Sequence, residues 1–178
     1  WVTAALATVT LSTMIGGVLG RDLRALRREL EAYPDEHALW AVPRGVSNSA
    51  GNLAMHLAGN LQAFIGAKLG GTGYVRDRDA EFSVRNVPRA EILATIDAAM
   101  AAVESSLAPL SDAGLRSKAP YVFGELMIDA DDFMIHLVSH LGYHLGQVDY
   151  HRRLTCGGPA VDVLRMPKLH TARAKSAK

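Results

Sequence analysis

Residues 136–154 read HLVSHLGYHLGQVDYHRRL, placing histidines at 136, 140, 144 and 151 in a chain that contains only seven. At about 100° per residue, positions 136, 140, 144, 147 and 151 of an α-helix fall within an arc of roughly 80°. They form one imidazole stripe, interrupted by Gln147. Met134, Leu137, Leu141, Leu145 and Val148 occupy the adjoining arc. The stripe therefore runs along the edge of a face that must be buried, with His144 closest to that face.

Three further segments carry the same periodicity. The first, at about residues 11–32, repeats Ile15, Leu19, Leu23, Leu26 and Leu30 and ends where Tyr33 meets Pro34, because a residue before proline is pushed out of the α region. The second, at about 49–69, follows the capping candidates Ser47, Asn48 and Ser49, repeats Leu53, Leu57, Leu61 and Phe64, and stops at Gly70-Gly71. The third, at about 88–108, opens at Pro88 and buries Ile92, Ile96, Met100, Val103 and Leu107. The histidine-bearing segment is the fourth, at about 129–154, with Asp129, Asp131 and Asp132 at its positive end and Arg152 and Arg153 before Gly157-Gly158-Pro159. No run alternates with period two for long enough to build a sheet; SVRNV and YVF are too short. The chain reads as all-α, and four such helices most simply bury their apolar faces in a four-helix bundle. The connecting loops are long for such a bundle, which allows crossover connections or functional loops.

A chain of 178 residues suits one domain, read as residues 1–155, followed by a basic C-terminal tail over 156–178. Arg165, Lys168, Arg173, Lys175 and Lys178 make the tail positive on an acidic body. It reads as a solvated tail, and without a basic stripe interleaved with aromatics no nucleic-acid partner is expected. The single cysteine, Cys156, excludes a disulfide framework, points to a reducing, cytoplasmic compartment and reads as an inert thiol in the turn CGGP. The opening WVTAALATVTLSTMIGGVLG is uncharged and about as long as a bilayer span. Its threonines, glycines and alanines leave it weakly apolar, and its leucine spacing continues past it, so an amphipathic helix is expected and no membrane partner. Leu11, Met14 and Val18 widen the apolar arc of this helix beyond what one bundle interior needs, which points to a homodimer.

A lone histidine at a core edge is most often a satisfied core residue. Several on one arc are different, since an i, i+4 pair of neutral imidazoles can ligate one divalent ion. Both 136/140 and 140/144 are such pairs, and spacing does not choose between them. His56, in NLAMHLAGNL, borders the apolar face of the second helix with Asn60 one turn later. It supplies a third imidazole from another helix, and a three-histidine set leaves positions open for water or substrate. HLVSH lacks the glutamate of HExxH, which disfavours that metallopeptidase class. GGTG at 70–73 follows no strand and reads as a helix stop. Arg76, Asp77, Arg78, Asp79 and Glu81 in YVRDRDAEFS could grip an anionic substrate but read first as a self-neutralising solvated loop.

YHLGQVDYHRR, with histidines four and eight residues before His144 and one histidine in the second helix, resembles the DinB/YfiT superfamily over about residues 11–154. The resemblance implies an up-down-down-up four-helix bundle, usually dimeric, whose divalent metal is held by one histidine of the second helix and two of the fourth. The family's fourth-helix motif is similar to HxxxHxxHHxGQ. Carried onto this chain, it selects His56, His140 and His144 as metal ligands and leaves His136 one turn outside them. Tyr143 stands where many members have a further, non-ligating histidine. Gln147, on the stripe, and Tyr150 are expected to support the site. The resemblance extends to thiol-dependent S-transferases and an isomerase that uses low-molecular-weight thiols. The function expected is therefore a metal-dependent transferase of the thiol S-transferase type, or a hydrolase. One divalent ion, zinc or nickel, would activate a low-molecular-weight thiol or water toward a small-molecule substrate. The alternative is a non-catalytic, metal-binding or stress-associated helical dimer.

Overall fold

The computed structural model describes residues 9–161. Residues 1–8, the basic tail from Arg165 to Lys178 and His170 lie outside the described residues. The first long helix, α1 (Leu11–Glu31), starts at a reciprocal cap in which the Thr13 amide donates to Thr10 Oγ1 and the Thr10 amide to Thr13 Oγ1. Each side chain thereby satisfies an amide that the helix leaves unpaired. After the single turn α2 (Glu36–Trp40), α3 (Ala50–Leu61) starts at Ser49, whose hydroxyl accepts from the Asn52 amide. The helix continues through Gln62–Ala67 as a wider π turn, in which the Lys68 amide reaches Ala63 O and the Gly70 amide reaches Ile65 O. Short α4 (Arg78–Ser83) leads to α5 (Arg89–Leu107), and short α6 (Asp112–Arg116) to a hairpin of β1 (Tyr121–Phe123) and β2 (Leu126–Ile128). The last and longest helix is α7 (Ala130–Cys156).

The four long helices fall where the apolar periodicity puts them, and the chain is predominantly helical with little sheet. Two local expectations are corrected. YVF does pair, antiparallel with LMI, in the register Tyr121↔Ile128, Val122↔Met127 and Phe123↔Leu126. A strand this short holds because its aromatics dock: Tyr121, Phe123 and Phe133 gather around Phe64, with ring centroids 5.1–5.9 Å away. The Tyr121 hydroxyl also donates to Phe64 O at 2.6 Å. Cys156 closes α7 instead of sitting in the turn that follows, and left-handed Gly157 ends the helix. The long connections are filled by the short helices and the hairpin.

Leu19, Leu23, Leu26 and Leu30 of α1 are fully buried, together with Leu57 and Ile65 of the α3 region, Ile96 of α5 and Leu141 and Val148 of α7. Each such side chain stabilises the fold by about 1.5–3 kcal/mol relative to exposure. α1 packs on α5 and α7, and α3 packs on the same two. The end of α1 meets the start of α5, where Arg89 donates to Glu31 O, and the start of α1 meets the end of α5, with Gly16 against Leu107. The end of α1 also meets the end of α7, through Glu29 and Arg152. On the other side, the middle of α3 meets the middle of α7 through His56 and His140, while Phe64, past the end of α3, meets Phe133 near the start of α7. Asn52, near the start of α3, donates to Val84 O just ahead of α5. Among the described residues no helix is long and apolar enough to cross a membrane.

The contact between α1 and α7 includes a buried ion pair, Arg152 Nε to Glu29 Oε2 at 2.5 Å, with neither side chain more than 4% exposed. Burial pushes the Glu29 carboxyl upward, and the Arg152 guanidinium partly offsets this. Arg152 also donates to Pro159 O at 2.9 Å, which ties down the segment after α7. Removing one partner leaves the other buried without its counter-charge. Arg152→Ala is therefore expected to lower the unfolding free energy by about 3–5 kcal/mol, whereas replacing both residues with leucine should cost much less. Urea denaturation of the two variants measures the difference.

Candidate metal centre

α3 presents His56 toward α7, which presents His140 and His144 one turn apart. One ring nitrogen from each of the three comes within 4.8 Å of the other two. His56 Nε2 faces His140 Nε2 at 3.2 Å, and the ring centroids lie 4.7 Å apart for His140 and His144 and 5.4 Å for His56 and His144. His56 is buried, while His140 and His144 are half-buried, so the cluster sits in the wall of the core with one side toward solvent.

The orientation of His56 is set from behind. Its Nδ1–H donates to Glu81 Oε2 at 2.9 Å, which leaves the lone pair on Nε2, the atom facing α7. Glu81 is itself held by a fork from Arg76, Nε to Oε1 at 2.6 Å and Nη2 to Oε2 at 2.7 Å. Burial alone would raise the Glu81 carboxyl, but the hydrogen bonds from Arg76 and His56 outweigh it and hold the group below the usual carboxylate range. The carboxylate is therefore ionised at neutral pH. α4, which carries Glu81, is clamped to α3 because Asn52 Nδ2 donates to Glu81 O at 2.9 Å. Phe82 completes the packing, its ring 4.8 Å from that of His56. His144 is oriented in a parallel way, with Nδ1–H donating to Gln147 Oε1 at 2.7 Å and Nε2 left free to accept.

The two α7 histidines are disposed to stay neutral. Burial, reinforced by the neighbouring rings of His144, His56 and His136 and by Arg76, lowers His140 to about 4. Burial also lowers His144, with the Gln147 bond acting against it. Neutral imidazoles with convergent lone pairs make a donor set that suits zinc, nickel or copper ions better than calcium or magnesium. Asn60, one turn beyond His56, is buried with its side-chain oxygen unpaired among the described residues.

The remaining histidines of the stripe go elsewhere. His136 is exposed and stacks on Phe133, with its centroid 6.0 Å from that of His140, and it takes no part in the convergent set. His151 is buried in a structural role: its Nε2–H donates to Ala41 O at 2.9 Å and its Nδ1 accepts from the Tyr33 hydroxyl at 2.7 Å. Gln147 touches His144, whereas Tyr150 lies on the exposed side of α7 under Arg153 and reaches none of the three rings. His37 is exposed on α2. The stretch around Glu81 requires the main correction. Asp77, Arg78 and Asp79 are solvated as expected, but Glu81 is buried and Arg76 half-buried against it. A short helix, carried over from a long connection, puts this pair behind His56, and the only sequence cue is the acid's position on the inner side of that helix.

The family model of the DinB superfamily matches residues 19–148, a span that includes all three clustered histidines and Glu81. Among curated proteins no match is found, and none among solved structures.

Two outcomes are expected. Gly59 lies against the Glu81 carboxylate, where a methyl group would overlap an oxygen that Arg76 holds in place. Gly59→Ala should destabilise the fold by about 1–3 kcal/mol through this overlap, as calorimetric melting would show. The second concerns pH. The folded chain disfavours protonated His140, so between its ordinary value of 6.5 and about 4 the unfolded chain binds more protons. The metal-free protein should hold this stability above pH 6.5 and lose it progressively as pH falls toward 4. Each 1 kcal/mol lost lowers the melting temperature by about 2–4 °C in a domain of this size. His140→Gln should flatten the melting profile between pH 7 and pH 5, above the range in which Glu81 itself becomes protonated.

Proposed function

The chain belongs to the DinB superfamily, and from that premise we propose that it is a metal-dependent enzyme whose single divalent ion, zinc or nickel, is held by His56, His140 and His144. The observation that carries the reading is the convergence of three imidazole nitrogens, from two helices, within 4.8 Å. When bound, such an ion acts as a Lewis acid that makes a coordinated thiol or water nucleophilic at neutral pH. The chain's own groups do the rest. The ionised Glu81 fixes the tautomer and ring plane of His56, and Arg76 keeps that carboxylate in place. Gln147 does the same for His144. A bound ion would need His140 neutral, and protonation of that ring would compete with it, so affinity should fall with falling pH.

The reaction proposed is thiol S-transfer with a low-molecular-weight thiol, or hydrolysis, on a small-molecule substrate. The half-exposure of His140 and His144 supports an open, reactive centre over a purely structural ion, which would be closed by protein ligands. An up-down-down-up four-helix bundle belongs to the same reading and is supported by the end-to-end contacts of α1, α3, α5 and α7. So does a two-fold dimer through α1, where Met14 is 39% exposed and Leu11 and Val18 are half-buried.

Metal analysis of protein purified without an affinity tag tests the assignment. One equivalent of zinc or nickel is expected in the native protein, and His56→Ala, His140→Ala and His144→Ala should each lose most of it, while His136→Ala keeps it. Native metal content in all three variants overturns the reading. Gln147→Leu should retain the ion about ten- to a hundredfold more weakly, the usual effect of freeing a ligand's orienting partner. Thiol-transfer assays against several electrophiles then decide between transferase and hydrolase.

A further inference from the structure

Beside His144 a cavity of about 460 Å³ opens between the segment Pro43–Asn48 and α7. Its walls are largely apolar, formed by Leu53, Tyr143, Tyr150 and Leu154. Tyr143, Tyr150 and Leu154 are 64–80% exposed, an unusual outlay of large side chains on one flank of a helix. Arg44 is the only lysine or arginine in the lining, no aspartate or glutamate lines it, and Arg44 makes no ion pair among the described residues. Its position is built in. The Val46 amide donates to Pro43 O at 3.1 Å, closing a four-residue turn with Arg44 second and Gly45 third. Gly45 has φ +89, a left-handed conformation that the third position of such a turn requires and that a side chain would strain.

An apolar cavity of small-molecule size, with one unpaired guanidinium and no carboxylate, selects for charge as well as shape. We propose that it binds a small organic carboxylate, with the apolar body between Tyr143, Tyr150 and Leu154, the carboxylate on Arg44, and the inner end against His144. The ligand class is an aryl or alkyl acid, and neutral analogues of the same shape bind more weakly. The inference rests on the metal reading only in making this acid the substrate of that centre; the binding itself needs no ion.

Isothermal titration calorimetry with 4-phenylbutyrate and 4-phenylbutanamide, the second matching the first in shape without its charge, is the test. Wild-type protein is expected to bind the acid about five- to tenfold more tightly than the amide. Arg44→Gln, at an exposed turn position that leaves the fold intact, should bring the two to equal affinity, and Tyr150→Ala should weaken both to a similar extent. Equal affinity in the wild type, a preference that survives Arg44→Gln, or no binding of either compound overturns the proposal. Running the titrations on metal-free and zinc-loaded samples, with zinc uptake measured in each, separates the two readings. The metal assignment fails if uptake is absent while the acid preference stands, and the present proposal fails if the preference is absent while uptake stands.

Discussion

A carboxylate taken out of water must be paired, and Glu81 is the place where that rule organises this protein. Desolvation of an isolated carboxylate costs several kcal/mol, so its burial is tolerated only because Arg76 grips both oxygens and His56 donates to one. The pairing has structural consequences in every direction. It folds the segment after α3 back onto that helix, it requires a residue without a side chain at position 59, and it decides which nitrogen of His56 carries the proton. The last of these reaches across to α7. A histidine whose Nδ1–H is committed to a buried acid has a lone pair available only at the other nitrogen, and there it meets His140.

α7 shows how one helical stripe divides by depth and neighbours. His136, His140, His144 and His151 share an arc, yet only the middle two face His56. The first faces solvent beside Phe133, and the last is consumed by hydrogen bonds to Tyr33 and Ala41. Tyr33 stands at the end of α1 and Ala41 just after α2, so His151 fastens three parts of the chain at the end of the molecule where Glu29 meets Arg152. One sequence pattern thus supplies a structural rivet and two members of a convergent donor set.

What the sequence made legible follows from range. The four long helices and their buried faces were readable because periodicity and caps are local: Leu19, Leu23, Leu26 and Leu30 are buried as their spacing requires. The three histidines that the structure brings together were singled out by spacing on α7, by the face of α3 and by a family likeness, the last choosing between two equivalent pairs. Arg76 and Glu81 were misread because their burial depends on where a connection of some twenty residues returns, which no local pattern encodes. The hairpin was missed for a related reason. Tyr121 and Phe123 gain their stability from Phe64 and Phe133, partners remote in sequence, so three-residue strands that would not survive alone are held in place.

The π turn at Gln62–Ala67 has a consequence for how this chain can change. Its i→i+5 hydrogen bonds fit one surplus residue into α3, between His56 and Asn60 on one side and Leu69 on the other. Loss of a residue from a regular helix swings everything beyond it by about 100°. Loss of one here would instead regularise the ladder and leave the flanking faces in their bearings. The turn acts as an expansion joint, a stretch where a one-residue deletion is absorbed without rotating the histidine away from its partners.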